Sequence, residues 1–252
     1  MTKEIRTVDA ERGVMQITTF DERWYARPVM DPETGLPKSY QFVPSVTWIC
    51  GHYPKGIGFY KWLANHGWDE AEEIKQVAGD KGSKVHFAIG ALIAGERIGM
   101  DARFLNPSTG QQEQLSVSEY EALMSFVDWF GRNKPEVIRS EYAIWNEEHG
   151  YAGTVDLKCR MQDGAVWGID FKTSPAIWPA HELQLSAYKH ADPEIEKTAI
   201  LQVGYRLNKK QKFKFTEVPD KFRLFLAAQE IWANETAGIA PLQREYPLSL
   251  AL

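Results

Sequence analysis

The sequence predicts an α/β fold with a mixed central sheet that is flanked by helices. Two observations lead to this prediction. Apolar residues recur at helical spacing up to about residue 133 and then alternate as they do in strands. After this change the patterns indicate three strands, a helix and a further strand, an order that is typical of a sheet with both strand directions.

Two helices are predicted before these strands. The first covers about 80–95, and Gly95 is a suitable C-terminal stop. The second begins near Ser118, where Glu121 three residues later can complete a capping box, and it ends near Asn133.

The remaining elements follow from period-2 patterns and from the turn residues between them. Asp163-Gly164 marks a tight turn, and Pro179 is a good first residue for a helix. The predicted elements are strands over 137–145, 151–161 and 165–172, a helix over 179–191, strands over 198–207 and 212–218, and a helix over about 220–235.

The N-terminal part differs in composition from the rest of the chain. Residues 1–40 are polar and rich in turn signals, whereas residues 42–66 are rich in aromatic and apolar side chains. We therefore predict an N-terminal extension over residues 1–79 that is mostly helical. The core would cover residues 80–252 and include the last helix and a proline-containing tail.

Composition excludes several classes of protein. The chain has 252 residues, 44% hydrophobic and 25% charged, and no apolar run of the roughly 18 residues that a membrane span needs. Its charged N-terminus is unlike a secretory signal. Cys50 and Cys159 lack CxxC spacing, which argues against a disulfide framework, a four-cysteine zinc site and an iron–sulfur cluster. With a net charge of −5, binding to nucleic acid would need a local basic patch or bound cations.

Three charged residues on two neighbouring strands form the most informative pattern. Asp170 and Lys172 are two residues apart on one predicted strand, so their side chains share a face, and Asp156 lies on the preceding strand. Carboxylates of this kind suit Mg²⁺ or Mn²⁺, which polarise a phosphate, and the lysine can hold a water or stabilise charge on the phosphate. An Asp-x-Lys tripeptide by itself is more often a surface ion pair.

The loop between these two strands decides whether the aspartates can meet. A two-residue turn would put Asp156 and Asp170 on opposite faces of the sheet. A three-residue loop over 162–164, with its glycine left-handed, would pair Met161 with Ala165 and set the two aspartates opposite each other. A catalytic site therefore requires this loop, or an equivalent bulge or twist further along the strands.

Further polar residues join this pattern in a fixed order. The motifs are Gly82–His86 on a helix, Glu141 on a strand, Gly153–Asp156, Asp170–Thr173 and, on the next helix, Gln184–Tyr188. Together they resemble the RecB-like branch of the PD-(D/E)XK nuclease superfamily over about residues 80–206. Residues 44–47 and the aromatic stretch after them resemble, more loosely, phage-type and mitochondrial genome maintenance-type exonucleases.

The resemblance implies a restriction-endonuclease-like core of order α-β-β-β-α-β. It implies a Mg²⁺- or Mn²⁺-dependent exonuclease that hydrolyses DNA in phage or bacterial replication, recombination or repair. The DNA would be single-stranded or have a free end, no membrane would be involved, and a recombinase or helicase partner fits this setting. The expected location is the cytoplasm of a bacterial or phage-infected cell.

The resemblance also implies a role for each matching residue. Lys172 would orient the attacking water, and Gln184 and Tyr188 would support the lysine or touch a substrate phosphate. Members that carry iron–sulfur clusters use four cysteines, which this chain cannot supply. The groups that would hold one or two metal ions are Asp156, Asp170, the backbone carbonyl of Phe171, His86 and, as an accessory ligand, Glu141.

A basic stretch over residues 197–214 is the candidate surface for nucleic acid. Lys212 and Lys214 share one strand face and Phe213 and Phe215 the other, so we expect the phenylalanines in the core. An edge hairpin that lysines protect from aggregation accounts for the stretch nearly as well. The candidate contacts are Arg206, Lys209, Lys210, Lys212 and Lys214.

Aromatic residues of the extension are a second candidate surface. Trp48, Trp62 and Trp68 could stack on single-stranded bases, which would make the extension a DNA-gripping subdomain, although such residues more often pack a subdomain.

Three alternatives to an exonuclease stay open. The same fold suits a structure-specific endonuclease or an RNase. A non-catalytic nucleic-acid-binding module is a second alternative, although binding alone does not require clustered carboxylates near phosphates. The third alternative is an unrelated α/β interaction protein, and only the joint order of the motifs argues against it.

Overall fold

The N-terminal part of the chain forms an antiparallel sheet rather than helices. The computed structural model describes residues 4–19, 22–208 and 211–237. The first four strands pair in sequence order and are β1 (Glu4–Asp9), β2 (Val14–Thr18), β3 (Arg23–Met30) and β4 (Pro37–Pro44). The prediction of a mostly helical extension is therefore wrong for this segment.

Burial on both faces explains why the sequence did not reveal β2 and the first half of β3. Val14 and Tyr25 pack against Ala152 of the central sheet, whereas Ile17 and Trp24 pack on the other side of the N-terminal sheet. A strand that is covered on both faces has no alternation of polar and apolar residues, and that alternation is the signal by which strands are recognised.

Helices occupy most of the next segment. The long helix α3 begins well before the predicted residue 80 and passes through the expected boundary between residues 79 and 80. The capping box of α4 uses Ser116 and Glu119, two residues earlier than predicted. The elements are α1 (Val46–Gly51), α2 (Ile57–His66), α3 (Trp68–Ile93), the hairpin β5 (Arg103–Leu105) and β6 (Gln112–Gln114), and α4 (Val117–Asn133).

A mixed five-stranded sheet forms the centre of the fold, as predicted. Its strand order is β11-β10-β9-β8-β7, with β9 and β10 parallel and the other neighbours antiparallel. Helix α5 begins at Pro179 and connects the parallel pair. The elements are β7 (Glu136–Asn146), β8 (Tyr151–Arg160), β9 (Val166–Lys172), α5 (Pro179–Ala191), β10 (Lys197–Asn208), β11 (Gln211–Glu217) and α6 (Phe222–Glu235).

Helices cover both faces of this sheet and enclose two clusters of buried residues. Phe126 of α4 and Val85 of α3 pack against Phe171 on one face. Leu183 of α5 and Phe225 of α6 belong to the cluster on the other face. The sheet is thus the middle of three layers. Helices α3 and α4 cover one face, and helices α1, α5 and α6 cover the other.

None of the helices in the described part of the chain combines the length and the apolar character that a membrane crossing requires.

Candidate active site

The loop between β8 and β9 has the three-residue form that a catalytic site requires. The N–H of Met161 donates to the carbonyl of Ala165 (3.1 Å), and Gly164 is left-handed with φ +81°. The ladder then runs to the pair Leu157 and Ile169. Asp156 and Asp170 are the next residues on their strands, so this register brings them side by side, as predicted.

The two strands separate at this point, and the carboxylate of Asp156 lies in the fork. Its Oδ2 accepts the backbone N–H of Phe171 at 2.7 Å. Val155 belongs to the cluster beside α5, whereas Leu157 belongs to the cluster beside α3 and α4. Two residues that are two positions apart on a regular strand face the same side of the sheet, whereas Val155 and Leu157 face opposite sides. Strand β8 therefore rotates about its own axis at Asp156, in addition to the register that the loop sets.

Strand β7 has a matching irregularity beside Asp156. Glu141 lies between Ser140 and Tyr142, which pair with Leu157 and Val155 on β8, and its φ is +47°. A left-handed residue that is neither glycine nor asparagine is uncommon and costs on the order of 1 kcal/mol. This conformation places Glu141 next to Asp156.

Helix α3 supplies an imidazole to the same point. His86 Nε2 is 2.9 Å from the carbonyl oxygen of Phe171, and Nδ1 is 3.4 Å from Oδ1 of Asp156. One ligand atom each of His86, Glu141 and Asp156 lies within 4.8 Å of the others. The structure thus brings together three of the predicted metal-binding side chains and the predicted backbone carbonyl.

Asp170 is held in a separate network with the three remaining predicted residues. Lys172 Nζ is 2.6 Å from Oδ2 of Asp170 and 3.5 Å from Oε1 of Gln184. Gln184 Nε2 donates to Oδ1 of Asp170 and to the hydroxyl of Tyr188, both at 2.8 Å. Gln184 and Tyr188 are buried, so they are not a pair on the helix surface.

The carboxylates of the site are crowded, and their pKa values reflect this. Burial and the nearby Asp156 raise the pKa of Glu141 to about 7, and burial raises the pKa of Asp170 to about 6 despite Lys172. Burial disfavours the charged form of His86, but Asp156 outweighs it and raises the pKa of His86 to about 9. Burial also opposes ionisation of Asp156, yet His86 keeps its pKa below the usual value.

This arrangement fits a hard divalent cation. The donor set combines carboxylate oxygens with one imidazole, which suits Mg²⁺ or Mn²⁺. Oε1 of Glu141 is buried and has no hydrogen-bond partner among the residues that the structure describes. A buried oxygen without a partner is costly, and a cation held with His86 and Asp156 would satisfy it.

Two cavities meet at His86 and Lys172, which line both of them. The larger, of about 430 Å³, is also lined by Arg6 of β1 and His181 of α5. The smaller, of about 160 Å³, is lined by Arg23 of β3 together with Asp156 and Asp170. Each cavity thus carries a cationic side chain of the N-terminal sheet beside the acidic residues.

The sequence analysis did not predict that Arg6, Arg23 and His181 line the site. His181 had a signal, because His181, Gln184 and Tyr188 recur at i, i+3 and i+7 and so share one face of α5. Arg6 and Arg23 had none, since they belong to the N-terminal strands, which were not predicted and which reach the site only through the tertiary fold.

The basic stretch is described only in part. Lys212 and Lys214 are exposed on the edge strand β11. Phe213 and Phe215 pack against the buried cluster beside α4, which confirms their prediction as core residues. The side chains of Arg206, Lys209 and Lys210 lie outside the described residues.

The three tryptophans proposed for base stacking differ in their surroundings. Trp48 packs edge-on against Trp24 and Trp232, so it belongs to a structural aromatic cluster. Trp62 of α2 contacts neighbouring rings of its own helix, and Trp68 at the start of α3 is 67% exposed. Trp48 and Trp62 are both half-buried, so Trp68 offers the most surface to a ligand.

Comparisons with known proteins find similarity among solved structures but not among family models or curated sequences. No protein-family model matches the sequence, and no curated protein sequence matches it significantly. Among solved structures, the chain is similar to an alkaline exonuclease, LHK-Exo, from Laribacter hongkongensis, with 9% sequence identity and a TM-score of 0.39 over 77% of this chain and 85% of that chain. A likeness at this level does not establish an activity.

Proposed function

We propose that this protein is a metal-dependent nuclease that hydrolyses phosphodiester bonds of DNA. The observation that carries the proposal is the fork between β8 and β9. There, Asp156 of β8 lies within reach of His86 and Glu141. On the neighbouring strand β9, Asp170 forms an ion pair with Lys172. A stability role for this cluster is a poor explanation, because crowded buried carboxylates destabilise a fold.

The residues would divide the chemistry between them. His86, Glu141 and Asp156 would hold a divalent cation, with Asp170 and the carbonyl of Phe171 adjacent to it. When bound, the cation supplies Lewis-acid polarisation of the phosphate. Lys172 would orient the attacking water and stabilise the negative charge that develops on the phosphate. Gln184 would fix the lysine, since its amide bridges Lys172, Asp170 and Tyr188.

The charge distribution around the site supports a polyanionic substrate. Arg6 and Arg23 line the two cavities that meet at the site. Lys172 on β9 pairs with Gln202 on β10, which pairs with Lys214 on β11. Directly paired residues share a face, so Lys214 lies in the same row as Lys172, about 10 Å away across two strand spacings. Lys212 lies two residues before Lys214 on β11 and is also exposed. The other basic residues of the stretch, Arg206, Lys209 and Lys210, would add positive charge for binding the substrate.

An exonuclease in phage or bacterial DNA replication, recombination or repair is the finer form of the proposal. The N-terminal part, residues 1–79, would then help to hold the DNA, while residues 80–252 form the nuclease core. The second candidate is an endonuclease or RNase on the same fold, since the fork would serve these reactions equally well.

The decisive experiment uses end-labelled linear and closed circular DNA, each single- and double-stranded, and a matched RNA. Each is incubated with Mg²⁺, with Mn²⁺ and with EDTA, and the sizes of the products are compared. We expect linear DNA to be degraded from its ends with either metal and to stay intact in EDTA. Asp156→Asn is the inactive control.

The outcomes separate the candidates. Cleavage of closed circular DNA would favour an endonuclease, and preferential cleavage of RNA would favour an RNase. Full cleavage in EDTA would refute the metal-dependent mechanism. Binding without cleavage under every condition would favour a non-catalytic binding module.

A further inference from the structure

A groove beside the metal-binding cluster has the size and chemistry to hold part of a substrate. This cavity of about 430 Å³ lies between α3 and the segment that connects β9 to α5, and we call it the α3 groove. Its volume falls near the lower end of the roughly 300–1,000 Å³ that is typical of small-molecule sites. The residues that line this groove include Arg6, Gly79, Gly82, Thr173 and His181.

Two glycines form the wall that α3 contributes to this groove. Gly79 and Gly82 lie one turn apart within a helix of 26 residues, where glycine is less favourable than alanine. A Cβ at Gly79 would have no heavy atom within 4 Å, and one at Gly82 would come no closer than 3.7 Å to Thr173 Oγ1. Packing of the protein itself therefore does not require glycine at either position, whereas close approach of a ligand would.

The opposite wall of the groove contains His181, whose imidazole is held in one tautomer and can donate a hydrogen bond. Nδ1 of His181 lies 3.3 Å from the backbone N–H of Trp178 and accepts from it, which leaves the proton on Nε2. Burial and the nearby cations Lys172 and Lys55 lower the pKa of His181 to about 3. His181 is thus a neutral donor near neutral pH, and its ring keeps one orientation.

Arg6 supplies a permanent positive charge at the same groove. Its guanidinium lies 5.2 Å from the ring centre of Phe87, which orients it by a cation–π contact. An arginine and a neutral imidazole donor that line the same groove are suited to a phosphate, because the guanidinium forms charge-assisted hydrogen bonds with anionic oxygens. The glycine wall leaves room for a flat group such as a sugar or a base.

We propose that the α3 groove binds one nucleotide of the substrate strand, next to the phosphate that is cleaved. Arg6 and His181 hold the phosphate of that nucleotide, and its sugar lies against Gly79 and Gly82. This inference rests on the proposed nuclease function, and it assigns the groove as the site that positions the strand.

Glycine-to-alanine variants test this proposal because a structural role and a binding role predict opposite effects. Gly79→Ala and Gly82→Ala add a methyl group to the groove, and Gly131→Ala adds one to α4, where a Cβ has no neighbour within 4 Å. All three should raise Tm by about 2 °C, since alanine favours the helix. Only the two groove variants should weaken binding of a short fluorescein-labelled single-stranded oligodeoxynucleotide in EDTA, by about tenfold in Kd.

Polar variants test the phosphate contacts separately. In His181→Asn, Oδ1 keeps an acceptor for the N–H of Trp178, but the shorter side chain has no donor at the position of Nε2. Arg6→Gln removes the positive charge. Each should raise Kd for the same oligonucleotide by about tenfold at unchanged Tm. Arg97→Gln, at an exposed position outside the groove, is the matched control for Arg6 and should bind like the wild type.

The result that would overturn the groove proposal differs from the failure of the nuclease proposal. If the wild type cleaves DNA with metal and the groove variants bind and cleave like Gly131→Ala, the groove does not hold the strand although the nuclease function stands. If the wild type neither binds nor cleaves DNA, both proposals fail.

Discussion

A Cβ atom at Gly153 would lie 2.6 Å from Cε1 of Tyr188. This distance is shorter than carbon atoms tolerate, so the strand and the ring pack this closely only because residue 153 is glycine. The hydroxyl of Tyr188 accepts from Gln184, whose amide also donates to Asp170. The missing side chain on β8 is therefore linked to the position of a site carboxylate on β9.

Gly153→Ala should disturb the site through this contact. The added methyl group displaces the Tyr188 ring, and we expect a loss of about 1–3 kcal/mol in the free energy of unfolding, the usual range for overpacking. Cleavage of DNA should fall at the same time, because Gln184 loses its partner. Urea unfolding and a cleavage assay measure the two effects.

A double variant shows whether the clash is the cause. Gly153→Ala with Tyr188→Leu removes the ring and should recover part of the stability while cleavage stays low. A single Gly153→Ala variant with wild-type stability and activity would contradict the contact.

Metal binding should be detectable without any substrate. A ligand that binds only the folded state raises Tm with its concentration, so Mn²⁺ or Mg²⁺ should raise Tm of the wild type. Glu141→Gln removes a crowded buried carboxylate and should raise Tm in EDTA while reducing the shift that Mn²⁺ produces. Glu136→Gln, an exposed position on the same strand, should respond to Mn²⁺ like the wild type. An unchanged shift in Glu141→Gln would exclude this residue as a ligand.

Lys172 should be needed for turnover, but its removal should also affect stability. Its ammonium is the ion-pair partner of Asp170, whose side chain is 1% exposed, and an unpaired buried carboxylate is costly. Lys172→Gln should therefore lower both kcat, by orders of magnitude, and Tm. Asp170→Asn with Lys172→Gln should recover Tm while kcat stays low. A kcat near the wild-type value in Lys172→Gln alone would show that the lysine serves only the ion pair.

The register of β8 and β9 could be predicted because its cause is local. A glycine at position 164 allows the left-handed residue that a three-residue hairpin loop needs, and the loop then fixes which residues pair. The same reasoning could not show that β8 rotates about its own axis at Asp156. That feature lies beside the left-handed conformation of Glu141 on the neighbouring strand, and nothing in the type of this residue indicates such a conformation.

The contribution of the N-terminal sheet could not be predicted for a different reason. Arg6 and Arg23 lie far from His86 in sequence. They reach the site because β1 packs against β7 and β3 packs against β8. Sequence patterns report local periodicity, whereas this packing is decided by contacts between distant segments. The Gln184–Tyr188 motif of α5 was recognised because its two residues are one helical turn apart.

Lys214 and Lys212 should contribute to DNA binding through charge alone. The salt dependence of binding measures how many counterions the protein displaces from the phosphates. Neutralising both lysines to Gln should reduce the slope of log Kd against log salt by about 1.4–1.8 if both contact phosphates. Arg97→Gln, an exposed position between α3 and β5, is the control and should leave the slope unchanged. An unchanged slope in the double variant would favour a role of these lysines in protecting the sheet edge.

The ion pair of Lys158 and Asp192 should make stability depend on pH in the acid range. Lys158 is 3% exposed, and its Nζ donates to both carboxylate oxygens of Asp192, at 2.8 and 3.0 Å, while the hydroxyl of Tyr142 donates to Oδ2 at 2.6 Å. Burial opposes ionisation of Asp192, but these donors prevail and hold its pKa below the usual value. A lowered pKa means that the ionised carboxylate stabilises the fold. This stabilisation is complete above the unfolded pKa of about 3.9 and is lost as the pH falls through the folded value.

Asp192→Asn should therefore lower the free energy of unfolding by about 1.5–3 kcal/mol near neutral pH, the range for hydrogen bonds to charged groups. The difference from the wild type should shrink as the pH falls below about 4 and nearly vanish once Asp192 is protonated. Glu194→Gln is the matched control, because Glu194 also pairs with Lys158 but its side chain is 75% exposed, and its effect should be small at every pH. Urea unfolding of the three proteins between about pH 2 and pH 7 gives the measurement. A difference between Asp192→Asn and the wild type that stays constant over this range would contradict the lowered pKa and show that the variant acts through packing.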